Sequence, residues 1–205
     1  MHVKGRKSAQ SEQTRRLLLN VARDLFTEHG YAGTATEEVV RRAGVTRGAL
    51  YYHFRDKQDL FRAVVEDLEA ANVRRFGEIV AAIADPWEQL HAGINAFLDA
   101  CMDPAVQRIL LQDAPAVFGW FAWREIDERY GLGLLQAGLK AMIDAGLIAQ
   151  QPAEPLAHLL LGALSEAGLV IAHAEDVPAT RAAIGASLNR LLDGLRVRPS
   201  TAPGA

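Results

Sequence analysis

The residues with the most specific chemistry lie in the stretch TEEVVRRAGVTRGALYYHFRDK, residues 36–57. Its second half predicts a short helix on which Leu50 and Phe54, four residues apart, share one face. Another face of the same helix carries four residues: Arg47, Gly48, Tyr51 and Tyr52. The major groove of DNA accepts a guanidinium at guanine O6 and N7, close approach at a glycine, and phenols at phosphates or a thymine methyl. We therefore predict that these four residues contact DNA.

Groups suited to phosphate flank this helix. Thr36 and Thr46 stand at predicted helix N-termini, where free backbone N–H groups favour anions, and His53 and Lys57 follow nearby. Such contacts position a helix on DNA without specifying sequence. The alternative is that the Tyr-Tyr-His-Phe cluster is only a packed corner between helices. Its combination with Arg47 and a basic segment favours the DNA interpretation.

Charge divides the chain in two. Residues 1–62 carry 12 basic and 7 acidic groups, whereas residues 63–205 carry 10 basic and 18 acidic groups. Only the N-terminal third therefore has the electrostatic character that a polyanion requires.

The elements that must position these residues are helices. Helical periodicity dominates, and no alternation of apolar and polar residues is long enough to predict a sheet, so the fold class is all-α. A first helix over residues 13–28 ends at Gly30; a second has Thr36 as its N-cap and ends at Gly44. Thr46 caps a third helix and Asp56 a fourth. The second and third helices are joined only by residues 43–45, which is helix-turn-helix spacing.

Further helices are predicted after the fourth. Proline and glycine positions place them near residues 87–102, 104–112, 119–145, 155–174 and 178–196.

The segment ARDLFTEHGYAGTATEEVVRRAGVTRGALYYHFRDKQDLFRAV, with the residues just before it, resembles the N-terminal signature of the TetR/AcrR family across residues 14–64. The positions that match are Phe26, Gly30, Tyr31, Thr36, Ala43, Gly44, Val45, Gly48, Leu50, Tyr51, Phe54, Lys57 and Leu60. Ala35 departs from the pattern, since a second Thr or Ser is frequent there. The resemblance implies a three-helix DNA-binding domain, a long helix leading into a sensor domain, and a homodimer on a palindromic operator.

We accordingly divide the chain into three parts. Residues 11–58 form the predicted helix-turn-helix DNA-binding domain, residues 59–197 a helical ligand-sensing and dimerisation domain, and residues 198–205 a disordered tail.

The predicted sensor site rests on aromatic residues near a charge. Residues 113–135 concentrate aromatic side chains beside Arg124, and small-molecule sites combine apolar walls with a few polar groups. Glu166 lies mid-helix between leucines, where an ionised carboxylate needs an arginine, a ligand or water as partner. The full predicted set, called the sensor residues below, is Phe97, Phe118, Trp120, Trp123, Arg124 and Glu166. The alternative is that the aromatics are helix-packing core and that Arg124 pairs with Glu128.

The helix over residues 156–174 is apolar nearly all round, so one face must be covered from outside its own domain. With Leu188, Leu191 and Leu192 of the last helix, it predicts a four-helix interface between two copies of the chain.

Other classes of function lack their signatures. We find no catalytic triad, HExxH or phosphate-binding glycine loop, so we predict no catalytic residues and no cofactor, and an all-α enzyme stays a minor alternative. Cys101 is the single cysteine, which excludes an intrachain disulfide and multi-cysteine metal sites, and His91, His158 and His173 have no metal-ligand spacing. We see no signal peptide and no membrane span, and expect a cytoplasmic protein. The prediction is a repressor released from DNA by a small apolar or amphipathic effector, the alternative being an activator or dual regulator.

Overall fold

The computed structural model describes residues 2–197, with side chains from residue 8 onward. The helices are α1 His2–Gly33, α2 Thr36–Ala43, α3 Arg47–His53, α4 Lys57–Ala81, α5 Pro86–Ala100, a π-helix Val106–Asp113, α6 Ala114–Phe118, α7 Trp120–Asp144, α8 Ala153–Ala172 and α9 Val177–Asp193. Extended pairing within this range is limited to one isolated bridge, Ile148 with Arg196. The all-α prediction is confirmed. The predicted disordered tail, residues 198–205, lies outside the described residues.

Of the three predicted N-cap residues, the structure confirms two and contradicts one. Thr46 caps α3, since its hydroxyl accepts the N–H of Ala49 at 3.2 Å, and Asp56 accepts the N–H of Asp59 at 2.8 Å ahead of α4. The prediction that Thr36 is an N-cap is wrong. The backbone is already helical at Thr36, so the cap position falls on Ala35, which has no side-chain acceptor.

The chain forms two compact units. The first contains the residues up to Ala71 together with Asp103–Arg124; the second contains Asn72–Met102 and the residues from Glu125 onward. The contacts therefore group residues 57–71 of α4, the π-helix, α6 and residues 120–124 of α7 with the helix-turn-helix. The sequence instead places the boundary between residues 58 and 59. α6 was not predicted as a separate helix.

An aromatic cluster fills the first unit. The ring of Phe61 from α4 lies 4.9 Å from Phe26 and 4.9 Å from Tyr31, both in α1, and 5.5 Å from Phe118 in α6. Such edge-on and tilted ring contacts stabilise beyond the apolar area they bury. Phe61 therefore anchors α1 and α6 to α4.

The second unit is built on α5, α8 and α9. Arg181 of α9 donates to the carboxylate of Asp99 at 2.7 Å and to the backbone oxygen of Asn95 at 3.1 Å, both in α5. Ser165 of α8 donates to Asp127 at 2.8 Å, which ties α8 to α7. By length and composition alone α8 is apolar enough to cross a membrane, but half of it is buried in the structure, and a core helix passes the same test.

Candidate nucleic-acid interface

The turn between α2 and α3 has the geometry of a helix-turn-helix. Gly44 is left-handed, with φ 64° and ψ 29°, and its N–H reaches the backbone oxygen of Arg41 at 3.2 Å. Glycine occupies this conformation without steric penalty, which ends α2 sharply and lets α3 begin three residues later. An ion pair between Arg42 and Glu28, 2.9 Å apart, joins the end of α2 to α1.

The inner face of α3 is fixed by burial. Leu50 is fully buried, as are Val39 of α2 and Phe26 of α1, and Phe54 retains only 3% exposure. The predicted pairing of Leu50 and Phe54 on the core face is confirmed. The residues of α3 outside this buried stripe are the ones that can face solvent.

The four residues predicted to meet DNA lie outside the buried stripe, and we call the surface that they form the recognition face. Arg47 and Gly48 are exposed, Tyr51 is 41% exposed and Tyr52 78% exposed. The guanidinium carbon of Arg47 lies 5.5 Å from the centre of the Tyr51 ring, a cation–π distance that favours keeping the two side chains together. A cation and two phenols thus project together from one helix, an arrangement that fits a major groove.

The flanking residues differ in accessibility. Thr46 is exposed at the start of α3 and His53 is half-buried at its end. The hydroxyl of Thr36 donates a hydrogen bond to the carboxylate of Glu37 at 3.2 Å. The pKa of Glu37 is lowered mainly by a hydrogen bond from its own backbone N–H, then by this hydroxyl, and further by the charge of Arg47.

Lys57 is half-buried, with its ammonium 4.3 Å from the centre of the Tyr31 ring. Burial lowers its pKa, while the carboxylate of Asp113 acts in the opposite direction. A lysine held over an aromatic ring has to turn away from it to reach a phosphate. Its predicted phosphate contact stays a prediction.

Two residues that the sequence analysis did not single out hold the end of α1. The carboxylate of Asp113, at the end of the π-helix, accepts the N–H of Tyr31 at 2.6 Å and the side chain of Arg108 at 3.3 Å. The Arg108 guanidinium packs over Gly30, which has φ 70°, and occupies the space that a Cβ would need there. The sequence signal was Gly30 itself, since a left-handed glycine marks a place where another group comes close.

The six sensor residues fall in both units. Phe118, Trp120, Trp123 and Arg124 belong to the first unit, and Phe97 and Glu166 to the second. Within the first, the half-buried Phe118 packs against Phe61 and lies 4.5 Å from the guanidinium of Arg62. Within the second, Phe97 contacts Phe76 at 6.4 Å.

Exposure further separates the sensor residues. Trp123 is buried at 3% exposure, whereas Trp120, whose ring lies 4.9 Å from it, is 51% exposed. Glu166 is exposed, so within one chain water reaches its carboxylate, which is one of the three partners that the sequence analysis left open. The neighbouring Ser165 and Ala167 turn inward instead, because helix geometry places adjacent residues about 100° apart.

Comparison with known proteins identifies both halves of the chain. Residues 18–64 match the family model of bacterial regulatory proteins of the tetR family. Residues 87–195, more than half of the chain, match the model of a tetracyclin repressor-like C-terminal domain. The repressor BepR of Brucella suis is 40% identical over 60 residues, which is 29% of either chain.

Solved structures extend the likeness to the whole chain. The crystal structure of a TetR-family transcriptional regulator from Pectobacterium atrosepticum is 39% identical, covers 94% of this chain and 98% of its own, and has a TM-score of 0.84. The regulator FadR from Bacillus subtilis, solved in complex with stearoyl-CoA, is 21% identical over 86% of this chain and 96% of its own, with a TM-score of 0.67, and shows the fold alone. This chain therefore belongs to the TetR family and is a DNA-binding transcriptional regulator.

Proposed function

We propose that this regulator is a cytoplasmic repressor that binds an inverted-repeat operator as a homodimer and is released by a small apolar or amphipathic molecule. The observation that carries the proposal is the recognition face. Arg47 and Tyr52 are exposed on a helix whose other face is locked into the core by Leu50. Side chains presented in this way can read base edges without rearrangement of the domain.

The dimer is supported by apolar residues that a single chain leaves uncovered. Leu159 and Val170 on α8 are 73% and 44% exposed, and Leu191 on α9 is 69% exposed. Leucines this accessible on two adjacent helices favour burial against a second copy. Two recognition helices related by a two-fold axis then enter successive major grooves about 34–36 Å apart, which requires an inverted repeat.

Release by a ligand is supported by the position of two sensor residues in the first unit. Trp123 and Arg124 belong to the same unit as the helix-turn-helix. In that unit the carboxylate of Asp113, from the preceding π-helix, accepts the N–H of Tyr31 near the end of α1. A molecule that binds at Trp123 or Arg124 would act on the unit that carries α3. We assign the lever between the two units to α4, because this helix belongs to both units and follows the helix-turn-helix directly in the chain, whereas α7, which also belongs to both, does not. The ligand must bind more tightly to the conformation that has the lower DNA affinity. A coupling free energy of about 1–3 kcal/mol between the ligand site and the DNA site lowers operator affinity roughly 5–150-fold.

The chemical class of the ligand follows from the side chains and from one relative. In the sequence, aromatic residues stand beside Arg124, and such a combination suits a molecule with an apolar body and an acidic or polar end. FadR from Bacillus subtilis was solved with stearoyl-CoA, an amphipathic molecule of this description.

The test begins with DNA taken upstream of the gene for this chain and of its neighbours. Footprinting should protect two inverted half-sites, and a reporter behind that DNA should fall in output when the regulator is present. Protection of a single unrepeated half-site would contradict the dimeric arrangement, and a rise in reporter output would show an activator.

The ligand part is tested with stearoyl-CoA and a library of small aromatic acids, using tryptophan fluorescence to detect binding. Each compound that binds is then added to an operator titration with the unmodified chain and with Arg124→Ala. We expect weaker operator binding in the first case and a smaller effect in the second. If compounds bind and operator affinity stays unchanged, the chain is not a ligand-released repressor.

A further inference from the structure

One stripe of exposed residues runs along each of α8 and α9, and we call the two stripes together the paired face. On α8 its members are Leu159, Ala163, Glu166 and Val170; on α9 they are Ala179, Ala183, Ala186, Ser187, Arg190 and Leu191. Their spacings of three and four residues place each set along one side of its helix.

This face contains one acid and one base. Within these stripes Glu166 is the single carboxylate and Arg190 the single cation, and all other members are apolar or small. Asp193, the exposed last residue of α9, lies 3.3 Å from His91 instead. Arg190 makes a long contact of 3.4 Å with the hydroxyl of Ser187 in its own helix. Among the described residues of the same chain, Glu166 has neither a hydrogen bond nor an ion pair. A lone carboxylate within an apolar stripe is costly to cover unless the covering surface brings a positive charge.

The two charges do not meet within one chain. Because α8 and α9 are joined by only four residues, 173–176, we take them as antiparallel neighbours. Glu166 lies six residues before the end of α8, and Arg190 thirteen residues after the start of α9. At 1.5 Å per residue the two positions differ by about 10 Å along the helix pair.

A two-fold axis perpendicular to the helices removes this offset. The level midway between the two charges falls at Ala163 on α8 and Ala186 on α9, both exposed and small. An axis at that level carries each charge of one copy to the level of the opposite charge in the other. Alanines at the crossing point allow the helices to approach closely. An axis parallel to the helices would instead bring Glu166 level with its own copy, which like charges oppose.

We propose that Glu166 forms an ion pair with Arg190 of the partner subunit, twice in each dimer, and that this pair fixes the register of the four-helix interface. The proposal rests on the homodimer proposed above and adds the residues that select one orientation of the two chains. It also gives Glu166 a role other than contact with the effector.

Charge reversal tests the pair in the full-length chain. Glu166→Arg and Arg190→Glu each replace two attractive contacts by two repulsive ones. We expect each single variant to raise the dimer dissociation constant at least tenfold, measured by sedimentation from nanomolar to micromolar protein. The double variant restores opposite charges in reversed order, and its dissociation constant should return to within about threefold of the unmodified chain.

Matched controls are Glu125→Arg and Lys140→Glu on α7, exposed positions whose recorded partners lie within their own helix. Both should dimerise as the unmodified chain does, and circular dichroism should show the same helix content in all variants. If the single variants dimerise normally, or if the double variant does not regain the dissociation constant of the unmodified chain, the proposed ion pair is wrong although the dimer itself is not contradicted. A monomeric unmodified chain would overturn the dimer itself.

Discussion

The recognition face and the sensor residues were both predicted from the sequence, but the structure brings together only the first set. The four residues of the recognition face lie within six positions of one another, on a single helix of seven residues. The six sensor residues extend from Phe97 to Glu166 and fall in two compact units. They also range from buried Trp123 to exposed Glu166.

The difference shows that a local sequence pattern can predict a site on one helix but not a site assembled from several helices. One helix fixes the directions of its side chains through its own geometry, so spacing alone predicts which residues of α3 face outward. Residues that come from several helices meet only if tertiary packing brings them together. The following predictions test whether the first unit behaves as the self-contained DNA-binding element that this contrast implies.

The largest effect is expected for Leu50→Ala. Leu50 is the fully buried residue by which α3 packs into the core of the first unit. Truncating such a leucine to alanine lowers the free energy of unfolding by about 2–5 kcal/mol. Urea denaturation measures the loss, and hydrogen exchange should increase in α1, α2 and α3. Leu139→Ala is the matched control, because Leu139 is equally buried in the second unit. If both variants loosen all helices to the same extent, the two units unfold as one.

Asp113→Ala should destabilise the first unit by about 1–3 kcal/mol, since it leaves the half-buried N–H of Tyr31 and the side chain of Arg108 without their acceptor. The direct measurement is faster hydrogen exchange at the Tyr31 amide. Asp144→Ala is the comparison, because its ion pair with Lys140 is exposed and contributes at most about 1 kcal/mol. Unchanged exchange at Tyr31 would show that Asp113 does not hold α1.

Arg47→Ala should cost about 1–3 kcal/mol in operator binding and little in binding to random DNA, if its guanidinium contacts a guanine. Lys57→Ala should weaken binding to both DNAs alike and reduce the salt dependence, as expected for a phosphate contact. Titrations of operator and random duplexes at several salt concentrations separate the two outcomes. Equal losses on both DNAs for both variants would contradict the division into base-reading and phosphate-binding residues.

The smallest effect compares two threonines at helix starts. Thr46→Ala removes the cap of α3 and should cost about 1 kcal/mol in unfolding free energy, whereas Thr36→Ala removes no cap. Thermal unfolding of both variants gives the comparison. A larger loss for Thr36→Ala would mean that its hydroxyl stabilises α2 through Glu37 more than the geometry indicates.

The sequence by itself determined the helical class, the helix-turn-helix and the outward face of α3. Each of these depends on interactions between residues close in the chain: the caps at Thr46 and Asp56, the left-handed Gly44, and the spacing of Leu50 and Phe54. Even here the start of α2 was predicted one residue late. Local preference favours threonine over alanine as a cap residue, yet the cap position falls on Ala35.

Tertiary structure alone decided which unit each later segment joins and which side of α8 is covered. The π-helix and α6 belong with the helix-turn-helix because Asp113 and Arg108 meet Gly30 and Tyr31, about 80 residues earlier in the chain. Glu166 is exposed because α8 turns Ser165 and Ala167 inward instead. On a helix that is apolar nearly all round, hydrophobic periodicity cannot distinguish the side that packs in its own chain from the side left for a partner, and only the positions of the neighbouring helices do so.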